Sequence, residues 1–418
     1  MMPSMSTPKR WGLQLLFGWM NLVLAVPSIY LMFGLPLVLR QHGWEGTEIG
    51  LLQLAALPAI FKFLFAMPVQ RVRFGRGHFV HWLWLMSALL LAMYVAIGWQ
   101  NLIAHKLPLF ALTFLISIAT TWLDIPVNAL AVQWLPRSEQ LRAGSIRSAA
   151  LFIGAIVGGG VMVLVLSRWG WQAPFVIMGA ALLGGCLPFA ALRAQASLPV
   201  QDSATDNTPP AILADWASFF AQPGATQWTW MLLTSFPFIG AVWLFLKPLM
   251  LDQGMPLEQV AWTIGIAGGV TGALFSLIGG RLISVLGTAR AIVLYLLAAL
   301  AALVLLTVVV WAKLGAVWLT ISALIVAASM GAISALMFGL TMFFTRRQRN
   351  ASDYGLQSTI FTVARLVVPV AAGVMLDYLG QVGMLTGMSI GVLCALGLAL
   401  RARHSVGATA QKVMARED

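Results

Sequence analysis

Residues 289–311 read ARAIVLYLLAALAALVLLTVVVW, and this stretch decides the class of fold. It holds one charge, Arg290, and is otherwise apolar for longer than the roughly 20 residues an α-helix needs to cross a bilayer. Working outward, similar runs recur near residues 14–39, 49–69, 79–98, 107–134, 145–166, 172–192, 226–251, 260–280, 315–343, 355–376 and 381–400. Of the 418 residues, 60% are hydrophobic and 9% charged, and the mean hydropathy is +0.89. A soluble domain is about one quarter charged. The composition therefore excludes a soluble enzyme, a fibre or a disordered tail, and the expected fold is an all-α membrane protein with twelve transmembrane helices.

The first run follows Lys9 and Arg10, is too long for a signal-peptide core and has no small-residue cleavage site behind it, so it is read as retained. Basic loops resist translocation. With the N-terminus cytoplasmic, eighteen Lys and Arg fall on that side, Arg71, Arg142, Arg147, Arg281, Arg346 and Arg349 among them. Four (Arg40, Lys106, Arg168 and Lys313) fall on the other side, so both termini are expected in the cytoplasm. The net charge of +12 is then a matter of topology, and no nucleic-acid partner is expected, because the basic residues are spread over short loops. Cys186 and Cys394 both lie in apolar runs, which argues against a disulfide framework.

One long polar stretch, from Arg193 to about Ala225, divides the chain into 1–192, a linker 193–225, and 226–418. Within it Ile212, Leu213, Trp216, Phe219 and Phe220 have the spacing of a short amphipathic helix lying on the membrane surface as a tether. The two flanking parts repeat at an offset of about 212. Pro36-Leu37-Val38-Leu39 answers Pro248-Leu249-Met250-Leu251, the pair Pro68 and Gly75 answers Gly280 and Gly287, and Gly144 answers Gly355. The shared offset predicts two pseudo-symmetric six-helix bundles.

Few residues in these spans carry chemistry. Lys62 is too deep to snorkel easily, and a central Lys costs on the order of 2.5–3.5 kcal/mol on insertion scales. Two uses fit it, a contact to an anionic substrate group or a structural ion pair. Arg365, at the middle of the eleventh run, is expected to face a cavity for the same reason. Asp124 is the one acid inside the runs, which makes it the candidate for proton coupling or, equally, half of a permanent pair with Lys62 or Arg365. Trp122 flanks Asp124, and Tyr30 lies along the first run. Gln53 and Gln357 are uncharged polar groups in the membrane, open to substrate contact or to helix–helix hydrogen bonding. Lys247 sits near a span end, where snorkelling or Asp252 can satisfy it. His78 and His81, at i and i+3, are read as an interfacial anchor; no metal site is expected. Small-xxx-small spacing marks Gly154, Gly158, Gly159 and Gly160, and again Gly265, Gly268, Gly269 and Gly272.

Leu57-Pro58-Ala59-Ile60-Phe61-Lys62-Phe63-Leu64-Phe65-Ala66 with Arg71, the pair Asp124 and Asn128, Leu135-Pro136 before Arg142-Ala143-Gly144, and Asp353-Tyr354 together resemble the major facilitator superfamily. Within it they are similar to muropeptide permeases and to inner-membrane siderophore permeases of the rhizobactin and pyochelin type. The superfamily's loop signature is matched by Arg73, Gly75 and Arg76, whereas Pro68 stands for its first Gly and Val72, or Gln70 in a shifted alignment, for its Asp. The resemblance implies a monomeric permease of the bacterial inner membrane without a cofactor. Its implied cargo is a ferric siderophore carried with protons, and its implied cavity is lined by Lys62, Arg365, Tyr30, Trp122, Asn128, Gln53 and Gln357. It also implies that the fifth and eighth spans meet across the halves. Muropeptide import and drug or siderophore export are the alternatives within the superfamily. A lipid-modifying membrane enzyme would need clustered His, Asp or Glu at one face, and an ATP-driven pump a Walker segment; the chain has neither.

Overall fold

The structure is a computed structural model that describes residues 7–44, 48, 51–52, 54–72, 74, 77–192, 212–346 and 349–414. Among the described residues every regular element is helical. The membrane-crossing helices are α1 (Lys9–Gly34), α2 (Leu54–Arg71), α3 (His78–Trp99), α4 (Lys106–Trp134), α5 (Glu139–Trp169), α6 (Gln172–Ala190), α7 (Ala225–Asp252), α8 (Ala261–Leu286), α9 (Thr288–Trp311) and α10 (Ala316–Phe344), followed by the stretch Asn350–Ala402. That last stretch would be about 80 Å long at 1.5 Å per residue, against a hydrocarbon core of about 30 Å. It breaks at Gly380, whose φ of 69° a side chain would resist. The part before Gly380 is α11 and the part after it α12, which completes twelve spans. The expected short helix of the linker is present as Ile212–Phe220, while 193–211 lie outside the described residues.

Two hydrophobic cores form, one around Met20, Leu83, Leu123 and Phe189, the other around Trp228, Ile239, Leu303 and Met384. They meet along seams where small residues let backbones touch. A Cβ on Gly144 of α5 would overlap the backbone of Gly339 of α10, and one on Gly355 of α11 would come within 2.6 Å of the Ala66 Cβ of α2. Gly144 and Gly355 are partners in the internal duplication, so the two seams are related by it. Gly269 and Gly272 of α8 lie against Ile156 and Phe152 of α5. The glycines of α5 do otherwise than α8's: Gly154 and Gly158 pack on Ala25 and Val26 of α1, inside their own half. The seams at Gly144, Ala66 and Gly280 all lie toward the end bearing Arg71, Arg142, Arg281 and Arg346, so the halves are closed at the basic face.

Helix α2 is discontinuous. Pro58 offers no N–H and its ring crowds the preceding turn, and residues Leu54–Phe61 wind as a 3-10 helix before an α-helix resumes at Lys62. The freed N–H of Phe63 donates to Thr359 Oγ1 of α11 at 3.2 Å, across the halves. Irregular backbone at membrane depth persists only where protein or a cavity satisfies it, and here the break sets Lys62 at the start of the α-helical part.

Candidate functional site

Asp124, in the middle of α4, is the hub. Its Oδ2 accepts the ammonium of Lys62 in an ion pair and the hydroxyl of Tyr354 from α11 at 2.7 Å. One turn along α4, the Asn128 amide donates to Asp124 Oδ1 at 2.9 Å and to the Asp124 carbonyl at 2.8 Å. Arg147, from α5, donates through NH1 to Asn128 Oδ1 at 2.8 Å, and its NH2 lies 3.5 Å from Asp124 Oδ2. The Tyr354 ring lies near both cations, 5.0 Å from Lys62 Nζ and 5.2 Å from Arg147 Cζ, and the Phe338 ring is 4.8 Å from Arg147 Cζ. Such cation–π contacts gain strength when desolvated. Lys62 and Arg147 are each 9% exposed, and Tyr354 and Asn128 are fully buried. Charges this deep persist only when paired and hydrogen-bonded. Two cations against one carboxylate leave the cluster formally at +1.

Beside it lies a small cavity, lined by Arg147 from the first half and by Leu232, Met337, Phe338, Thr341, Tyr354, Gln357, Ser358 and Phe361 from the second. Tyr354, Gln357, Ser358 and Phe361 follow i, i+3, i+4 and i+7 spacing, one face of α11. Arg365 continues that face one turn further, its guanidinium 5.7 Å from the Phe236 ring and 5.6 Å from the Phe361 ring. It is exposed and forms no ion pair with any described residue. Gln357 is fixed on all sides: its oxygen accepts Trp228 Nε1–H at 2.6 Å, and its amide donates toward Thr341 O, Thr345 Oγ1 and Asp353 O at 3.0–3.2 Å.

The structure thus gathers Lys62, Asp124 and Asn128 into one cluster, sets Gln357 in the cavity wall and places Arg365 beyond it. The ion-pair partners of Asp124 are Lys62 and, at 3.5 Å, Arg147, and not Arg365. Two expected lining residues sit elsewhere. Trp122 packs on Phe65 and Trp82, among α2 and α3, and Tyr30 is buried edge-on against Phe175 of α6. Gln53, Arg73, Gly75 and Arg76 lie outside the described residues. Lys247 is exposed, and Asp252 is taken by Gln381 at 3.0 Å. His81 Nδ1 lies 3.1 Å from the Gly77 carbonyl, and no His, Cys, Asp and Glu grouping fit for a metal occurs among the described residues.

Arg147 is the correction the structure makes to the charge count: it is not a loop residue but a buried one. Its position inside the apolar run 145–166 was the available signal. Tyr354 and Phe338 were likewise unmarked. Asp353, next to Tyr354, serves the basic face instead. It holds Arg346 by Nε and NH2, each at 2.7 Å, and Arg346 NH1 in turn reaches Ser218 of the linker helix at 3.1 Å.

Twelve spans in two halves, closed on a buried ionic cluster with a cavity between them, define a membrane transporter. Residues 15–369 match the Major Facilitator Superfamily, and the chain belongs to that family; it is a transporter and not an enzyme. Among curated relatives it is 27% identical over 283 residues to the anhydromuropeptide permease of Escherichia coli strain K12, covering 63% of this chain and 55% of that one. The chain thus spans about half the length of that relative. It is 22% identical over 177 residues to a probable chloroplastic anion transporter of Oryza sativa subsp. japonica, covering 41% and 29%. Among solved structures it resembles FucP in the outward conformation (17% identity, 94% and 97% coverage, TM-score 0.69). A bacterial homologue of the iron transporter ferroportin in an outward-facing state is also similar (16%, 94% and 98%, 0.65). So is the proton:xylose symporter XylE (11%, 94% and 95%, 0.71). At these identities the likeness shows the fold alone.

Proposed function

We propose that the protein is a secondary active importer that carries an anionic, partly aromatic solute together with protons by alternating access. A ferric siderophore of the pyochelin-like kind is the first candidate. It works in the bacterial inner membrane as a monomer, with its termini and basic loops cytoplasmic, and residues 1–192 and 226–418 rock about the linker 193–225. The observation that carries this reading is the Asp124–Tyr354 hydrogen bond, made between the halves at 2.7 Å on a carboxylate that also holds Lys62. Opening the basic face separates α11 from α4 and takes Tyr354 off Asp124, so the surroundings of that carboxylate differ between the two states. A group whose bonds change in this way is able to bind a proton on one side and lose it on the other. Arg365 offers a cation to an incoming anion, and Phe236, Phe338 and Phe361 offer flat apolar contact.

Muropeptide import is the second reading, favoured by the 27% identity to the anhydromuropeptide permease. Uptake of a radiolabelled ferric chelate and of a radiolabelled anhydromuropeptide, by cells with and without the gene, separates the two. Accumulation of the chelate that collapses on adding a protonophore is expected. Gene-dependent uptake of the muropeptide alone moves the assignment to the second reading, and accumulation that survives full dissipation of the gradients overturns proton coupling.

A further inference from the structure

The guanidinium of Arg147 is only half engaged. NH1 is bonded to Asn128 and NH2 lies 3.5 Å from Asp124, but Nε–H is buried and has no acceptor among the described residues. Arg147 is also the one cavity-lining residue contributed by the first half. A buried, charged donor without an acceptor is costly, and Nε is one arm of the fork by which arginine holds a carboxylate with two parallel bonds. Around it the wall offers Phe338, Phe361, Leu232 and Met337. We propose that Arg147 is the receptor for the anionic group of the transported solute, a carboxylate attached to a flat apolar body. This rests on the transport reading given above and adds to it the place where the cargo's charge lands.

The charge count then links cargo to proton. The groups facing Asp124 are Lys62 from α2, Arg147 from α5 and Tyr354 from α11, with Asn128 on its own helix. The cluster stands at +1, and protonating Asp124 alone would leave two buried cations without a counter-charge. With a carboxylate on Arg147 the cluster is neutral, and a proton on Asp124 returns it to the +1 it already sustains. Anion binding and proton uptake at Asp124 therefore go together, one for one.

Benzoate and its neutral isostere benzamide test this on the full-length protein in detergent, by titration calorimetry between pH 6 and 8 in buffers of differing ionisation heat. Over that range benzoate stays ionised, as carboxyl groups titrate near 4. Wild type is expected to bind benzoate at least about tenfold more tightly than benzamide and to take up a proton as it does so. Arg147→Lys keeps the charge but not the fork, and should lose most of that tenfold preference. Asp124→Asn should bind benzoate without proton uptake. Equal binding of benzoate and benzamide by wild type overturns the assignment, whatever the variants do. So does a preference unchanged in Arg147→Lys, or no benzoate binding at about 10 mM, weaker than a millimolar site. If protonophore-sensitive uptake persists alongside such a failure, the transport reading stands without this site. If benzoate behaves as expected while uptake ignores the protonophore, the site stands and proton coupling falls.

Discussion

The two halves share a frame and divide the chemistry unequally. At the duplication offset, Lys62 corresponds to Leu274 and Asp124 to Leu336, while Arg147, at the offset that pairs Gly144 with Gly355, corresponds to Ser358. Every charge of the buried cluster thus belongs to the first half. At the same depth the second half carries a neutral network, Trp228–Gln357–Thr345, in which the Gln357 amide is saturated. It hydrogen-bonds to the charged cluster through the Tyr354 hydroxyl and lays the Tyr354 and Phe338 rings against its cations. A saturated neutral network has nothing to exchange and serves as a fixed wall. A cluster with one acid and two cations is able to change its charge, and the Tyr354 bond to Asp124 makes that change felt by the other half.

The strongest way to break this division is to empty its hub. Asp124→Ala leaves Lys62 and Arg147 buried without a counter-charge, and breaking a buried pair in this way costs about 3–5 kcal/mol. Thermal unfolding of the purified protein should show that loss, and transport should be abolished. Asp124→Asn keeps the size and resembles the protonated acid, so it should lose accumulation against a gradient and retain exchange. Normal, pH-dependent accumulation by Asp124→Asn would remove Asp124 from the coupling step.

Next in size is the hydrogen bond that ties the second half to Asp124. Tyr354→Phe keeps the ring near both cations and deletes one bond to a charged acceptor, worth about 1.5–3 kcal/mol. That bond helps to hold the basic face closed, so a cysteine pair across the α5–α10 seam, labelled from the basic side, should react faster in Tyr354→Phe. An unchanged labelling rate would mean that the seam glycines and the other bonds across the halves, Phe63 to Thr359 and Ser148 to Ser276 among them, hold the face shut without it. Gln357→Leu tests the neutral wall. It orphans Trp228 Nε1–H, at a cost of about 1–3 kcal/mol, and should lower stability without altering the pH dependence of uptake. A shifted pH profile would show that the wall takes part in coupling.

Much of this was legible in the sequence. Span lengths, the divided chain and the repeat are written in apolar runs and glycines at a fixed offset; Asp124 and Lys62 stood out as charges inside those runs, and Asn128 through the family resemblance. Arg147 did not, because a count of basic residues by side treats a cation near a span end as a loop residue. Its place inside the run 145–166 was the one hint, and the tertiary contacts with Asn128 and Phe338 show it to be buried. Tyr30 and Trp122 went the other way: an aromatic residue packs equally well on a cavity or on a neighbouring helix, and nothing in the local pattern tells Phe175 or Trp82 from open space. The 3-10 stretch of α2 was foreshadowed by Pro58, but the π turns at Tyr30–Gly34, Val157–Val161 and Ala261–Ala267 have no such marker.

The smallest effects separate cations inside the membrane from those at its edge. Arg365 is exposed beside two aromatic rings with no ion pair among the described residues, so Arg365→Ala should leave stability unchanged or raise it, because the bilayer penalises such a charge. It should still raise the KM for an anionic solute, and unaltered uptake at equal membrane abundance would strike Arg365 from the substrate path. Lys313 is the counter-case. It lies in the short turn between α9 and α10, exposed and outside both spans, with φ at 50°, a left-handed conformation that favours glycine. Its charge touches neither the cluster nor the cavity, so Lys313→Ala should leave KM and kcat as they are and change stability by less than about 0.5 kcal/mol. Lys313→Gly removes the Cβ that the left-handed backbone disfavours, at the price of a looser unfolded chain. Because the first effect, about 1–2 kcal/mol, exceeds the second, about 0.4–1 kcal/mol, the net should be a small gain in melting temperature with transport untouched. A transport defect in either Lys313 variant would mean that the turn moves with the halves, and that position in the membrane is not what sorts these cations.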